Sequence, residues 1–229
     1  MRWKALLAAC LPSLCQACGD PVESPGDWRR FAPLCRRCGA ALQRERGRTL
    51  LAEALPLLWP LAPELVVRSL IKGLKYGGRD GALPLLADAL AWRLALDPPP
   101  RPWSLLPVPL PLPRRLARGF NQSELLAAAL RRRLGEGCVL TALRRRPFAG
   151  RQAGRSRRER LARAQGEFRA RGRLPLTGSL ILIDDLATTG ATLLACEAAL
   201  GEAAAGRLLA LVLTRIPAPG VSLDRLNPP

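Results

Sequence analysis

The chain has 229 residues, enough for one ordinary domain and a small accessory one, and 48% of them are hydrophobic, the composition of a folded protein. No apolar run reaches the roughly 18 residues that a membrane-spanning helix needs. The 36 Lys and Arg outnumber the 18 Asp and Glu, a formal charge of +18 that favours anionic partners, and the absence of His excludes histidine acid–base catalysis and histidine-ligated metals.

At the amino end, Arg2 and Lys4 precede Ala5-Leu6-Leu7-Ala8-Ala9-Cys10, which looks like a lipoprotein processing box with Cys10 as the lipidated residue. Its apolar core of five residues is shorter than the roughly 7–15 of a signal peptide, so the segment reads as a short amphipathic helix. The chain is then expected to be cytoplasmic, where thiols stay reduced and free to bind metal. Cys15-Gln16-Ala17-Cys18 and Cys35-Arg36-Arg37-Cys38 follow, sixteen residues apart. Two residues between paired cysteines let a tight knuckle aim both sulfurs at one tetrahedral ion, and four thiolates fill the shell of a structural Zn²⁺. Gly19 and Gly39 each follow a pair, where such a knuckle often needs a positive φ. A small zinc ribbon is expected over residues 10–45, with Cys15, Cys18, Cys35 and Cys38 as ligands. Cys10, Cys138 and Cys196 sit in apolar contexts and read as small core residues.

Residues 46–102 read as a helical linker region, with helices at 49–61, 65–76 and 83–96. Val66, Val67, Leu70, Ile71 and Leu74 give the second an apolar face, and Lys72 and Lys75 suit the dipole at its end. The Pro-rich stretch 97–102 closes the region. From residue 103 to 216 the pattern alternates strand and helix, as in an α/β domain with a parallel sheet flanked by helices. Strands are expected at 103–108, 138–142, 180–183 and 208–213, and helices at 122–134 and 190–205. Between the first strand and the first helix, a Pro-spaced loop leads to Arg118-Gly119-Phe120-Asn121-Gln122, a plausible anion-binding corner. The window 144–160 holds eight Arg and one acid, Glu159, and has the composition of a mobile, polyanion-binding lid. Residues 217–229 read as a loosely ordered tail.

The run Leu180 to Thr192 carries the most chemistry. A buried strand ends in Asp184-Asp185, and Thr188-Thr189-Gly190 turns into a helix. Backbone N–H groups and hydroxyls at such a turn suit a phosphate, and the adjacent carboxylates would hold ribose hydroxyls or a Mg²⁺ ion. No Lys follows Gly190 as a Walker A loop requires, and there is no dinucleotide-binding glycine fingerprint.

This block resembles the 5-phosphoribosyl-1-pyrophosphate (PRPP) signature of type I phosphoribosyltransferases. That resemblance implies ribose contacts for Asp184 and Asp185, and a 5'-phosphate loop made of Thr188, Thr189, Gly190 and Thr192. The order of the four-cysteine module, Leu74-Lys75-Tyr76, Val108-Pro109-Leu110, Arg118-Gly119-Phe120-Asn121-Gln122, Gln152, Arg160, Phe168 and the Asp-Asp block is similar to that of the ComF family, over roughly Cys15 to Thr214. The chain departs from the family pattern at Arg163, where Asn is frequent, and at Glu167, where a small apolar residue usually stands.

Membership would imply a type I phosphoribosyltransferase-like sheet behind a zinc ribbon. The loop 109–121, with Arg118, would meet pyrophosphate, and a lid over 144–160 would bring in Arg151 and Arg160. It would also imply PRPP or a related phosphorylated sugar as ligand, with Mg²⁺. The role implied is handling of internalised single-stranded DNA in natural transformation, with DNA-uptake or recombination proteins as partners. The alternative is an active Mg²⁺-dependent phosphoribosyltransferase whose acceptor the sequence leaves open. Trp28 and Phe31 are the best candidates for base stacking.

Overall fold

A computed structural model describes residues 14–22, 34–52, 54–76, 80–146 and 166–216. In chain order the elements are helix α1 (Arg36–Ala40), strands β1 (Arg44–Leu51) and β2 (Leu55–Leu61), and helices α2 (Leu65–Tyr76) and α3 (Leu83–Leu96). Strand β3 (Trp103–Pro107), helices α4 (Leu112–Arg118) and α5 (Gln122–Leu134), and strands β4 (Cys138–Val139), β5 (Leu143–Arg145) and β6 (Phe168–Ala170) come next. Strand β7 (Ser179–Ala187), helix α6 (Ala191–Leu200) and strand β8 (Leu208–Arg215) come last among the described residues.

Six strands form one mixed sheet in the order β1-β2-β8-β7-β3-β4. Only the β1–β2 pair is antiparallel, while β2–β8, β8–β7, β7–β3 and β3–β4 all run parallel. Strands β5 and β6 pair separately as a two-stranded antiparallel ribbon. The alternation along β7 sends Ile181 and Ile183 to one face and Leu180 and Leu182 to the other. The first face packs Leu70 and Leu74 of α2, Leu86 and Leu90 of α3, and Leu126 and Leu130 of α5. The second packs Leu193 and Cys196 of α6 with Leu143 and Phe168 of the ribbon. With both faces covered, the central strands read as unbroken apolar runs.

Several expectations are corrected. The helix expected at 49–61 is the β1–β2 hairpin. Its Leu and Ala content suits a helix, but Pro56 and Pro60 would each remove a helical donor and clash with the preceding turn. In the sheet β2 is buried along nearly its whole length between β1 and β8, and Ala52 turns the hairpin at φ 47°. The stretch 46–102 thereby supplies two strands and two helices to the main sheet. The loop after β3 contains the seven-residue helix α4, none of whose residues is buried. The strand expected at 138–142 shrinks to two residues at the sheet edge, where Cys138 is exposed and not a core residue. The helix expected to run to 205 ends at Leu200 and is followed by a 3-10 turn, Gly201–Ala204. Of the expected lid, Arg144 and Arg145 lie in β5. Residues 147–165, with Arg151 and Arg160, are outside the described residues, as are Cys10, Trp28, Phe31 and the tail.

A fully buried arginine locks the hairpin to the helical layer. Arg93 of α3 donates from Nε to the Gly47 carbonyl at 3.2 Å and from Nη1 to Asp97 Oδ2 at 3.0 Å. Gly47 sits at an irregularity of β1, directly over Trp59, and a Cβ there would fall 1.9 Å from the indole.

Candidate functional site

The acid pair lies within β7 near its carboxyl end, just past Ile183, where pairing with β3 stops, while the strand runs on beside β8 to Ala187 instead of ending at the acids as expected. Around it three segments, distant in sequence, converge. The chain leaving β3 bonds its Val108 N–H to the Ile183 carbonyl at 3.0 Å, which keeps the loop against β7. Asn121 is buried and does two jobs: its Nδ2 donates to the Val108 carbonyl at 3.0 Å, and its Oδ1 accepts the Ser123 N–H at 3.1 Å, capping α5. That cap places the Ser123 hydroxyl to donate to Asp184 Oδ1 at 2.9 Å. The Asp185 amide donates to the same oxygen, also at 2.9 Å.

Asp185 is held from the other direction. Lys75, in the last turn of α2, makes an ion pair with Asp185 Oδ2, with the two side chains only 22% and 6% exposed. The next residue, Tyr76, accepts a hydrogen bond from Arg118 Nη2 at 2.8 Å, and the guanidinium lies 4.6 Å from the ring centre. Arg118 Nη1 donates to Gln122 Oε1 at 3.0 Å. Leu74-Lys75-Tyr76 and Arg118 to Gln122 are thus one assembly around the carboxylates.

Burial raises the Asp184 carboxyl to about 7, and the neighbouring Asp185 charge adds to it. The Ser123 hydroxyl, the Asp185 N–H and the Lys75 ammonium oppose that rise without cancelling it.

Beyond the pair, Thr188 and Thr189 are exposed and Thr192 is half-buried. Thr189 Oγ1 accepts the Ala191 N–H at 3.4 Å, and no side chain caps α6 at Gly190. Gly190 has φ 77°, and a Cβ there would lie 2.6 Å from Leu51 Cδ1 at the end of β1. The left-handed backbone therefore favours glycine here whatever the ligand, and a side chain would in addition press on the end of Leu51.

A second arrangement flanks the loop after β3. A cleft of about 520 Å³ lies between Leu110, Arg115, Glu124, Arg144, Arg145 and Arg171, among others. Arg115 pairs with Glu124 through two contacts of 3.1 and 3.3 Å, and Arg145 pairs with Glu167 and stacks on Phe168. Among the described residues Arg144 and Arg171 have no acidic partner.

The four expected cysteines come together. The sulfurs of Cys15, Cys18, Cys35 and Cys38 lie within 4.8 Å of one another and are positioned to bind a metal ion. The first knuckle is closed by Gly19 N–H to Cys15 O at 2.9 Å, with Gly19 at φ 84°. The second opens helix α1, so Gly39 is helical and does not need the positive φ expected of it. Arg37 and Asp20 tie the two halves together at 3.0 Å. Cys15 and Cys38 are buried in the same apolar cluster as Leu70 and Leu74 of α2, so the module is built onto the sheet's helical layer. None of the described cysteines is in a disulfide.

No family model matches the chain, and neither does any curated protein. No helix among the described residues is long and apolar enough to cross a membrane.

Sequence reasoning singled out Asp184, Asp185 and the turn, and it did not pair the acids with Lys75 and Ser123, which the structure brings against them. One signal for Lys75 was present: in a chain whose basic residues are Arg at all but three positions, a Lys is a compositional exception.

Asp184 yields a pH prediction. Its folded-state pKa of about 7 lies above the ordinary carboxylate value, so between about pH 4 and 7 the folded chain keeps a proton that the unfolded chain loses. Stability falls as pH rises through that window and the loss is complete above it. Asp184→Asn, which keeps an oxygen for Ser123, should therefore raise Tm by about 3 °C or more at pH 8 and by much less at pH 4.5. Calorimetric melting of both proteins checks this, and an equal shift at both pH values would count against it.

Proposed function

We propose that this chain binds PRPP or a related phosphorylated ribose at the carboxyl ends of β3 and β7, on a type I phosphoribosyltransferase-like fold. One observation carries the reading. The path from β3 through α5 moves outward to β4, whereas the path from β7 through α6 moves outward in the opposite direction to β8. Helices α5 and α6 pack on opposite faces. The crevice between β3 and β7 is therefore the switch point of the sheet, where open α/β folds take their ligands, and the acid pair stands at its mouth.

In this reading the 5'-phosphate sits on the Thr188–Thr192 turn, at the amino end of α6, whose N-cap residue Gly190 has no side chain to fill it. Asp184 accepts ribose hydroxyls. The loop 109–121 and the lid, with Arg151 and Arg160, face the pyrophosphate. Mg²⁺ would accompany the pyrophosphate, and if transfer occurs it would stabilise that group's departure. The metal suited to four thiolates in a closed tetrahedral shell is Zn²⁺ in a structural role.

The resemblance to ComF supports a second reading, handling of internalised single-stranded DNA together with uptake or recombination proteins. The cleft carrying the unpaired Arg144 and Arg171 favours it, because guanidinium groups without acids suit a phosphate backbone.

Paired titrations with PRPP plus Mg²⁺ and with labelled single-stranded DNA address both readings. Asp184→Asn with Asp185→Asn, and separately Thr188→Val with Thr189→Val, should weaken PRPP binding tenfold or more and leave DNA binding within about twofold. Gly190→Val is unsuitable because a β-branched residue would be strained at φ 77° and would press on Leu51, so a loss of binding would not report on the phosphate. Unchanged PRPP affinity in either folded variant refutes the pocket. For the metal, elemental analysis of protein purified without chelator should give about one Zn per chain, and Cys35→Ser should lose it and lower Tm. Less than about half an equivalent in the intact protein would contradict a zinc site.

A further inference from the structure

We propose that Lys75 is the resident counter-cation of the acid pair, so that the pocket takes a ribose 5-phosphate group with no metal ion on Asp184 or Asp185. The proposal rests on the ribose-phosphate reading of the site and deepens it.

The two carboxylates are treated differently by their surroundings. Asp185, nearly buried, has its charge met by the Lys75 ammonium. Asp184 has Oδ1 occupied by the Ser123 hydroxyl and the Asp185 amide, which leaves Oδ2 for a ligand hydroxyl. A phosphate dianion would be repelled by the Asp185 charge, and by Asp184 whenever it is ionised, and Lys75 offsets the first of these before the ligand arrives. A divalent ion bound at Asp185 would have to displace the ammonium or lie against it, and like charges in so enclosed a place repel strongly. The identity of the residue fits the role. An ammonium is a compact point charge on a flexible stem, whereas a planar guanidinium needs a wider, forked site. Lys75 is also fixed in place. It stands between Leu74, buried in the sheet's helical layer, and Tyr76, which is bonded to Arg118.

Two readouts test the proposal on the full chain, in metal-depleted buffer without chelator so that the cysteine site is spared. Mn²⁺ binding is followed by electron paramagnetic resonance, and ribose 5-phosphate binding by calorimetry with and without Mg²⁺. The wild-type protein should show no Mn²⁺ site that depends on Asp185, and its ribose 5-phosphate affinity should change less than about twofold with Mg²⁺. Lys75→Met should gain about one equivalent of Mn²⁺, abolished by adding Asp185→Asn. It should also lose tenfold or more in ribose 5-phosphate affinity without Mg²⁺ and recover most of it with Mg²⁺. That rescue separates a charge role from a packing role. A Mn²⁺ site in the wild type that is lost in Asp185→Asn overturns the proposal, and this comparison stands even if Lys75→Met does not fold. A Lys75→Met protein that folds but gains no Mn²⁺, or whose affinity loss Mg²⁺ does not repair, also overturns it. If Mn²⁺ behaves as expected but no protein binds ribose 5-phosphate, the counter-cation assignment holds and the ribose-phosphate reading fails.

Discussion

Two adjacent carboxylates at the end of a central, two-face-covered strand are the constraint around which this molecule is arranged. Leaving water costs each of them several kcal/mol unless the surroundings compensate. The chain compensates them in different ways. Asp185 receives an ammonium from α2, and Asp184 receives a hydroxyl and a backbone N–H while its pKa rises to about 7. Each donor depends on further structure. Ser123 is placed by the Asn121 cap, Asn121 is tied to the chain leaving β3, and Lys75 is carried by a helix whose other face is core.

The same arrangement connects the parts of the molecule that look separate in sequence. The cysteine cluster buries Cys15 and Cys38 among the residues that seat α2, so a metal held there would stiffen the helix that delivers Lys75. In the β1–β2 hairpin, strand β1 ends in Leu51, against which Gly190 packs, so the Thr188–Gly190 turn is shaped partly by a strand some 140 residues earlier. Arg93 anchors that hairpin to α3. Cysteine module and hairpin are thus linked, through α2 and the turn after β7, to the elements that carry the acid pair and its partners.

Much of this was legible in the sequence, for identifiable reasons. The strand β7 and its acids were readable because four branched apolar residues, two carboxylates and a Thr-Gly turn are a local pattern. Helix α5 was readable to the residue, since Asn121 caps it and Gly135 ends it. The paired cysteines were readable because ligand spacing is local too. The hairpin was not, because Leu- and Ala-rich segments have helix propensity, and only the pairing of β2 with β8 makes them strands. Ser123 was invisible as a partner of the acids, and Lys75 was signalled only by being a Lys, because their roles arise from the packing of α2 and α5 beside β7. At their own positions they read as a dipole-friendly cation and an ordinary helix-start hydroxyl. For Gly190 the sequence suggested room for a phosphate, while the nearest obstacle to a side chain is Leu51.

The central claim, that the crevice between β3 and β7 receives a ribose phosphate, is tested most directly by backbone amide shifts in ¹⁵N-labelled protein titrated with ribose 5-phosphate. The account predicts that the largest saturable shifts fall on Thr188, Thr189, Gly190 and Thr192, with a smaller response at Ser123 and Asp185. Shifts confined to Arg144, Arg145 and Arg171 around the neighbouring cleft, with the turn unmoved, would contradict it.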